Sequence, residues 1–263
     1  MPKVAVNHVE LYYETRGQGP ALVFIHGLGS STRDWDRQTA EFSRSYQVIT
    51  FDLRGHGQSD KPEGPYDVPM FAADMAGLLK ALSTRSAHVV GVSLGGCVAF
   101  QFALDYPDRL TTLTIVNSAP TFGTPEQVHK EIERRVGIVR QYGMRGMGQT
   151  LSVNLFPRPE HASLRDAFVE RWAQNDPVAY VAATRSALNW DVTDRLRDIH
   201  CPTLVIAADQ DYSPVAVKEA YVGLIPNAQL VIIRDAHHAV PLESPREFNA
   251  VLAQFLAEHP QAS

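Results

Sequence analysis

The feature that most constrains the fold is a serine between two glycines, placed where a short strand-like run meets a helix-compatible stretch. Residues 91–95 read Gly-Val-Ser-Leu-Gly, and the helix-compatible run 97–104 follows them. In this setting the turn is so sharp that the backbone of Ser93 is strained, and side chains at Gly91 and Gly95 would clash with neighbouring elements. The strain lifts the Ser93 hydroxyl clear of the sheet. The sequence therefore predicts a strand, a tight turn and a helix around this serine.

Strand-like segments recur along the chain with helical segments between them. The predicted strands are 11–15, 21–25, 46–51, 87–91, 113–117, 203–207 and 229–233. Most of them are apolar without alternation, which indicates strands covered by helices on both faces and hence a mainly parallel sheet. The first two are joined by the Gly- and Pro-containing segment 17–20 and are predicted to form a hairpin. Residues 70–82 and 248–256 place apolar side chains on one helical face and are predicted to be core helices.

The alternation of strands and helices stops between residues 119 and 198. This segment holds three helical stretches, at 126–142, 164–174 and 178–188, broken by glycines and prolines. A single crossover between two strands needs far fewer residues, so the length predicts a helical cap over a site on the loop side of the sheet. A crossover with extra helices is the alternative. The predicted division is a first core segment, a helical cap and a second core segment, at 1–118, 119–198 and 199–263.

Composition and charge narrow the function classes. The chain has 263 residues, of which 44% are hydrophobic and 20% charged, as in ordinary soluble globular proteins. The net charge of -5 and the lack of a basic block argue against a nucleic-acid partner. Residues 1–8 contain no apolar h-region and no apolar run approaches membrane-spanning length, so neither a secretory signal nor a membrane partner is expected. Cys97 and Cys201 fit buried thiols in a reducing compartment, and a cytoplasmic location is expected.

A serine hydroxyl becomes a nucleophile only when a base takes its proton, and the base needs an acid to orient it. An acid pair, Asp209 and Asp211, follows one of the last two predicted strands, and a histidine pair, His237 and His238, follows the other. Both loops are expected at the carboxyl edge of the sheet, where Ser93 also lies. The chain order of serine, acid and histidine is the one expected for this architecture. The spacing alone leaves open which member of each pair is used.

Together with three further segments, these residues resemble the α/β-hydrolase superfamily. Residues 26–29 read His-Gly-Leu-Gly after a predicted strand, residues 51–60 are similar to the family's Asp-x-Arg-Gly-x-Gly-x-Ser segment, and residues 242–248 are similar to the stretch after the family's histidine. The resemblance covers nearly the whole chain outside the predicted cap. It implies an α/β fold with a mostly parallel eight-stranded sheet, flanking helices and a helical cap insertion. Arg54, in the second segment, is expected to fix a loop.

The resemblance assigns a role to each residue of the site. Ser93 is the expected nucleophile, His238 the base and Asp211 the acid that orients it. The backbone N–H groups of Leu28 and Leu94 are the expected donors to the oxyanion, because Leu94 begins a helix whose N-terminus favours negative charge.

The family pattern also selects within the two pairs. Its Gly-x-x-Asp spacing selects Asp211 over Asp209, although an alanine occupies the glycine position. Counting back from residues 242–243 selects His238 over His237, which stands where the family has glycine. No cofactor and no metal are implied, since the histidines lack the His-Glu-x-x-His spacing and the cysteines lack zinc spacing.

The resemblance implies hydrolysis of carboxylic esters of small molecules through an acyl-enzyme. Residues 61–66 are also similar to the 3-oxoadipate enol-lactonases, so a lactonase is an alternative. Carbon–carbon bond hydrolases of aromatic catabolism share the same triad, and the resemblance also implies perhydrolysis as a side reaction of the same site. A ligand sensor that keeps the triad but turns over negligibly is the alternative from a different class. The expected partner is a small ester or lactone, and the sequence carries no indication of oligomeric state.

The substrate pocket is expected to draw on large apolar side chains of the predicted cap and on two residues near the catalytic loops. Each of them is also compatible with ordinary packing. The candidate pocket residues are Trp35, Phe122, Tyr142, Met144, Met147, Phe156, Trp172, Trp190 and His237.

Overall fold

The computed structural model describes residues 2–261 of the chain. Its strands are β1 (Lys3–Val6), β2 (Val9–Arg16), β3 (Ala21–Ile25), β4 (Gln47–Phe51), β5 (Ala87–Val92), β6 (Leu110–Val116), β7 (Thr203–Ala208) and β8 (Ala228–Ile233). Its α-helices are α1 (Asp36–Phe42), α2 (Val68–Ala81), α3 (Leu94–Asp105), α4 (Pro125–Leu155), α5 (Ala162–Trp172), α6 (Pro177–Arg185), α7 (Val215–Val222), α8 (Val240–Glu243) and α9 (Pro245–Glu258).

The eight strands form one sheet in the order β1-β2-β4-β3-β5-β6-β7-β8. β2 runs antiparallel to its neighbours β1 and β4, and the strands from β4 to β8 pair in parallel. The predicted α/β class with a mostly parallel eight-stranded sheet is therefore confirmed. Because β3, β5, β6, β7 and β8 all point the same way, the loops that follow them meet at one edge of the sheet.

The hairpin predicted between segments 11–15 and 21–25 is wrong: these segments belong to β2 and β3, which do not pair with each other. β4 lies between β2 and β3: β2 pairs with β4 in antiparallel register and β3 pairs with β4 in parallel. β3 is an unbroken apolar strand whose residues are all buried. A strand of this kind needs neighbours on both sides and helices on both faces, which an edge hairpin does not supply.

Helices cover both faces of the sheet, as the two predicted apolar stripes require. On one face α2 and α3 bury Phe71, Leu78 and Phe100 in a large core cluster. On the other face α9 buries Phe248 and Leu252 in a second cluster. No helix within residues 2–261 is both long enough and apolar enough to cross a membrane.

The segment between β6 and β7 is built from helices and has an apolar cluster of its own. We call residues 119–198 the helical insertion. Its first helix, α4, begins with a capping box between Thr124 and Gln127, and it kinks at Gly143 before continuing to Leu155. The sequence predicted an end at residue 142, so the helix extends past the expected break. Side chains from α4, α5 and α6 form the insertion's cluster, which includes Met147 and Trp172.

Candidate active site

Ser93 follows β5 immediately and caps α3, with φ 56° and ψ -121°. The backbone strain predicted from the sequence is therefore present at this residue. The flanking glycines are required by close backbone approach: a Cβ at Gly91 would lie 2.1 Å from the Gly95 carbonyl oxygen, and a Cβ at Gly95 would lie 2.2 Å from the Ile25 carbonyl oxygen. Backbone packed on backbone thus fixes the turn that presents the Ser93 hydroxyl.

An acid from the loop after β7 meets a histidine from the loop after β8. His238 Nδ1 lies 2.8 Å from Asp211 Oδ1. The other member of each pair lies elsewhere: Asp209 Oδ2 is 3.7 Å from Arg234, and His237 hydrogen-bonds Glu243. The structure thus brings Asp211 and His238 together, and His238 lines the same cavity as Ser93.

The second ring nitrogen of His238 has a partner that the sequence did not suggest. His238 Nε2 lies 2.7 Å from the hydroxyl oxygen of Tyr212, and the two rings stack with centroids 4.1 Å apart. Because the Asp211 carboxylate accepts the Nδ1–H, Nε2 is the acceptor and the Tyr212 hydroxyl donates. The Tyr212 hydroxyl therefore occupies the nitrogen that the predicted mechanism would use to take a proton from Ser93.

Asp211 is held by a buried lysine as well as by the histidine. Lys218 Nζ lies 2.7 Å from Asp211 Oδ2, and both side chains are fully buried. Burial alone would raise the pKa of Asp211, but the hydrogen bond and charge of His238, followed by the ion pair with Lys218, lower it below its ordinary value. The carboxylate is therefore ionised and can orient the imidazole.

Two polar side chains at the end of β6 tie these loops together, and the sequence predicted neither. Asn117 Nδ2 donates to the carbonyl oxygens of His237 and His238, and Asn117 Oδ1 accepts the Ala208 N–H at 2.8 Å. Ser118 Oγ donates to the Ser93 carbonyl oxygen at 2.7 Å. These hydrogen bonds from the end of β6 therefore connect the His238 loop, the end of β7 and the turn at Ser93.

The predicted oxyanion donors lie beside Ser93. Leu28, in the loop after β3, and Leu94, the first residue of α3, both line the cavity with Ser93. A Cβ at Gly27 would lie 3.3 Å from the Cβ of Ser93, so the loop passes directly beside this serine. Within residues 2–261, neither the Leu28 N–H nor the Leu94 N–H donates to a protein acceptor. The role of these two N–H groups as oxyanion donors stays a prediction.

A buried histidine anchors that loop. His26 Nδ1 donates to the Gly27 carbonyl oxygen at 2.7 Å, and its Nε2 accepts the Leu53 N–H at 3.0 Å. Protonation of Nε2 would break the second bond. Burial accordingly lowers the pKa of His26 to about 4.

This arrangement predicts an acid-sensitive fold. In the unfolded chain His26 takes up a proton at pH ~6.5, but in the folded protein only at about pH 4. Between these values the unfolded state binds more protons, so stability falls as the pH is lowered from 6.5 toward 4. Replacement of His26 with Asn should make the pH dependence shallower by on the order of 1.4 kcal/mol per pH unit.

Urea unfolding at several pH values between 7 and 4.5 measures this slope. His129→Asn, at an exposed position of α4, is the matched control and should keep the wild-type slope. Equal slopes in wild type and His26→Asn would contradict the prediction.

A cavity of about 610 Å³ separates the carboxyl edge of the sheet from the helical insertion. Among the predicted pocket residues, Trp35, Phe122 and Trp172 line it. The other candidates lie elsewhere: Tyr142, Met144, Met147, Phe156, Trp190 and His237.

These six side chains were predicted to line the pocket, but each of them lies outside it. Met144, Met147 and Phe156 pack inside the insertion's own cluster. Trp190 donates its indole N–H to Gln101 in the core, and Tyr142 faces solvent with 61% of its surface exposed. His237 turns to Glu243, which accepts both its backbone N–H and its Nδ1–H at 2.7 Å. His237, which stands where the resembled family has glycine, is therefore held by the Glu243 carboxylate.

The wall of the cavity formed by α4 carries charge. Arg134 makes two hydrogen bonds of 2.7 Å to Glu131, and Arg135 Nε donates to the same carboxylate at 2.6 Å. Arg135 also donates to the Tyr180 hydroxyl at 3.0 Å. All three charged side chains line the cavity, so two cations share one anion there. The sequence showed only mixed charges in this segment.

The helical insertion contacts the loop after β3 at one seam. A Cβ at Gly29 would lie 2.6 Å from the indole ring of Trp172, so this ring packs directly on the backbone beside Leu28. Asn175 Nδ2 donates to the Gly29 carbonyl oxygen at 2.7 Å, and Arg171 pairs with Asp34 at 2.9 Å. Leu28 itself packs against the insertion's cluster.

A cysteine also lies in the wall of the cavity. Cys97 lines the cavity, but burial raises the pKa of its thiol to about 12, so it is not a thiolate at neutral pH. Among residues 2–261 no group of three or more His, Cys, Asp or Glu side chains is placed to hold a metal ion.

Comparison with known proteins places the chain in a family. A sequence profile of the alpha/beta hydrolase family matches residues 22–251. The chain is 31% identical over 258 residues to 3-oxoadipate enol-lactonase 2 of Acinetobacter baylyi, covering 94% of each, and 30% identical to the putative carbamate hydrolase RutD of Azorhizobium caulinodans, covering 98% of this chain and 99% of the relative.

Solved structures agree. An enol-lactonase from Burkholderia xenovorans LB400 superposes with a TM-score of 0.91 at 26% identity, covering 97% of this chain and 100% of that one. A thermophilic esterase from Thermogutta terrifontis, solved with malate bound, superposes with a TM-score of 0.91 at 29% identity, covering 99% of this chain and 100% of that one. With the strained serine turn, the sheet order and these matches, the chain belongs to the alpha/beta hydrolase family.

Proposed function

We propose that the protein is a serine hydrolase that cleaves carboxylic esters of small molecules through an acyl-enzyme. The observation that carries the proposal is the pairing of Asp211 with His238 at the cavity that Ser93 lines. The relatives support it in coarser form, since their names include an enol-lactonase, a carbamate hydrolase and an esterase. All three names denote hydrolases.

The proposed reaction has two halves. Nε2 of neutral His238 takes the proton of Ser93 as Oγ bonds to the carbonyl carbon, and the oxyanion accepts the N–H groups of Leu28 and Leu94. His238 then gives this proton to the leaving alcohol, the C–O bond breaks, and the acyl group stays on Ser93. A water molecule then attacks the acyl carbon and gives a proton to His238. The bond to Ser93 Oγ breaks, Ser93 regains the proton from His238, and the carboxylic acid is released. In the first step the Tyr212 hydroxyl gives up its hydrogen bond to Nε2.

The proposed organisation has the helical insertion, 119–198, as a cap over the two core segments, 1–118 and 199–263. The cavity supports this division because α4 and α5 form one wall of it and the catalytic loops form the other. Substrate specificity is accordingly assigned to the cap wall and bond cleavage to the core.

Turnover of p-nitrophenyl acetate and butyrate tests the proposal, together with labelling by a p-nitrophenyl alkylphosphonate. We expect steady-state hydrolysis and one mole of label per mole of protein, on Ser93. A protein that is stabilised thermally by esters or lactones but neither turns them over nor takes the label would be a sensor, which overturns the proposal.

A lactone that carries a free carboxylate is a second candidate substrate, favoured by Arg135. This side chain is largely buried at the cavity wall, and Glu131 neutralises only one of the two neighbouring arginines. The excess positive charge suits a carboxylate, and a charge-assisted hydrogen bond in such a site is strong. The enol-lactonase among the relatives is named for 3-oxoadipate, which is a dicarboxylate.

Matched esters separate this candidate from a general esterase. Monomethyl adipate carries a free carboxylate and dimethyl adipate does not. Arg135→Gln should lower kcat/KM for the monoester about 10- to 100-fold while changing the diester little. Arg145→Gln is the control, because Arg145 lies on the same helix but pairs with Glu170 at the surface. An equal effect of Arg135→Gln on both esters would exclude a carboxylate subsite there.

A further inference from the structure

Lys218 is a buried cation that the proposed reaction does not use. It lies on α7, and its side chain is 0% exposed. Its ammonium donates to Asp211 Oδ2 at 2.7 Å and to the Ser213 carbonyl oxygen. The two carboxylate oxygens of Asp211 are thus divided, one bonded to His238 and the other to Lys218.

A buried ion pair of this kind is weak support for stability. The cost of removing both charges from water offsets most of their attraction, and a pair of apolar side chains often serves as well. The position of Lys218 is also specific, because it contacts the one carboxylate that orients the base. A role in the chemistry therefore explains the pair better than a role in folding.

Lys218 changes what Asp211 does for His238. A carboxylate stabilises a neighbouring imidazolium, and the effect grows as the carboxylate's charge is left uncompensated. An ammonium on the second oxygen compensates that charge without blocking the first. The same contact fixes rotation about the carboxylate, so that Oδ1 stays turned toward Nδ1.

Other titratable groups lie around the Lys218–Asp211 pair, and Lys218 is the cationic side chain that contacts Asp211. Burial raises the pKa of Cys97 to about 12 and raises the pKa of Tyr221 above its ordinary value, so both are neutral at working pH. The facing groups are His238 from the loop after β8, Tyr212 from the loop after β7, Tyr221 from α7, Cys97 from α3, and Arg135 with Glu131 from α4.

We propose that Lys218 is a positioning residue that sets the pH range of the reaction: it holds Asp211 in register and offsets its charge, so that the acidic limb of the pH profile lies lower than an uncompensated Asp211 would allow. The proposal rests on the proposed serine-hydrolase function. It assigns to α7 a part in catalysis that acts through the acid alone.

The test is the pH dependence of kcat/KM for p-nitrophenyl butyrate in Lys218→Met. The acidic limb should move to higher pH by about one unit, because Asp211 then stabilises the imidazolium without competition. Lys218→Arg should keep the wild-type limb. Lys80→Met, at an exposed position of α2, controls for loss of a lysine. A purely structural lysine would lower activity equally at every pH and leave the limb in place, which overturns the proposal.

A second neutral variant covers the case in which Lys218→Met does not fold. Lys218→Gln keeps a donor toward Oδ2 but removes the charge, so it should show the same shift of the limb with activity on the plateau closer to wild type. A wild-type protein that hydrolyses no ester or lactone and takes no phosphonate would instead refute the proposed function. Wild-type turnover with an unmoved limb in both neutral variants refutes only the role of Lys218.

Discussion

Ser93→Ala is expected to lower kcat for ester hydrolysis on the order of 10⁴- to 10⁶-fold, because loss of the nucleophile of a triad leaves only binding and the oxyanion donors. The protein should remain folded, since alanine keeps the Cβ and the strained backbone of the turn. Cys97 cannot take over: its thiol has a pKa of about 12 and is neutral at working pH.

Steady-state kinetics with p-nitrophenyl butyrate and phosphonate labelling measure this effect. Ser163→Ala, at an exposed position of α5, is the matched control and should keep both activities. Retention of turnover within about tenfold in Ser93→Ala would remove this serine from the mechanism.

Asp74→Ala is expected to destabilise the fold by about 3–5 kcal/mol, because it leaves the Arg54 guanidinium buried without its counter-charge. Two donors of Arg54 bind the two oxygens of Asp74, at 2.5 and 2.6 Å, and both side chains are almost fully buried. Asn7 donates to the same carboxylate at 3.1 Å, so the N-terminal turn depends on it too.

Urea unfolding gives the free energy of unfolding for this variant. Glu170→Ala removes the partner of Arg145 in an exposed pair and should leave stability unchanged within error, which separates a buried pair from a surface one. A loss of less than about 1 kcal/mol in Asp74→Ala would mean that Arg54 finds water or another acceptor.

The sequence predicted the parts of the site that depend on chain direction and local turns. Ser93 and the loops of Asp211 and His238 follow parallel strands, and the carboxyl ends of parallel strands meet at one edge whatever the detailed packing. The order of strands was less accessible. The turn at 17–20 suggested that the strands on either side of it pair with each other, but β4 lies between β2 and β3. The prediction failed because pairing between segments distant in the chain leaves no local signal in the sequence.

The direction in which side chains point was the second feature that the sequence did not predict. The aromatic and methionine residues of the helical insertion were expected in the cavity, yet Met147 and Phe156 face the insertion's own interior. A helical stripe indicates a buried face but does not distinguish a pocket from a core. No sequence pattern indicated that Asn117 and Tyr212 belong to the site. Lys218 did leave a signal, since it lies three residues before buried Tyr221 on the face of α7 that packs inward.

The seam between Trp172 and Gly29 limits how such proteins can be recombined. The indole ring occupies the space that any side chain at Gly29 would need, and Asn175 bonds the same backbone. A chimaera that receives the insertion of a relative therefore inherits a foreign surface against the loop that carries Leu28. Exchange of substrate range by grafting should succeed when residues 26–35 are transplanted with the insertion. When the insertion is moved alone, turnover should fall even for substrates that fit.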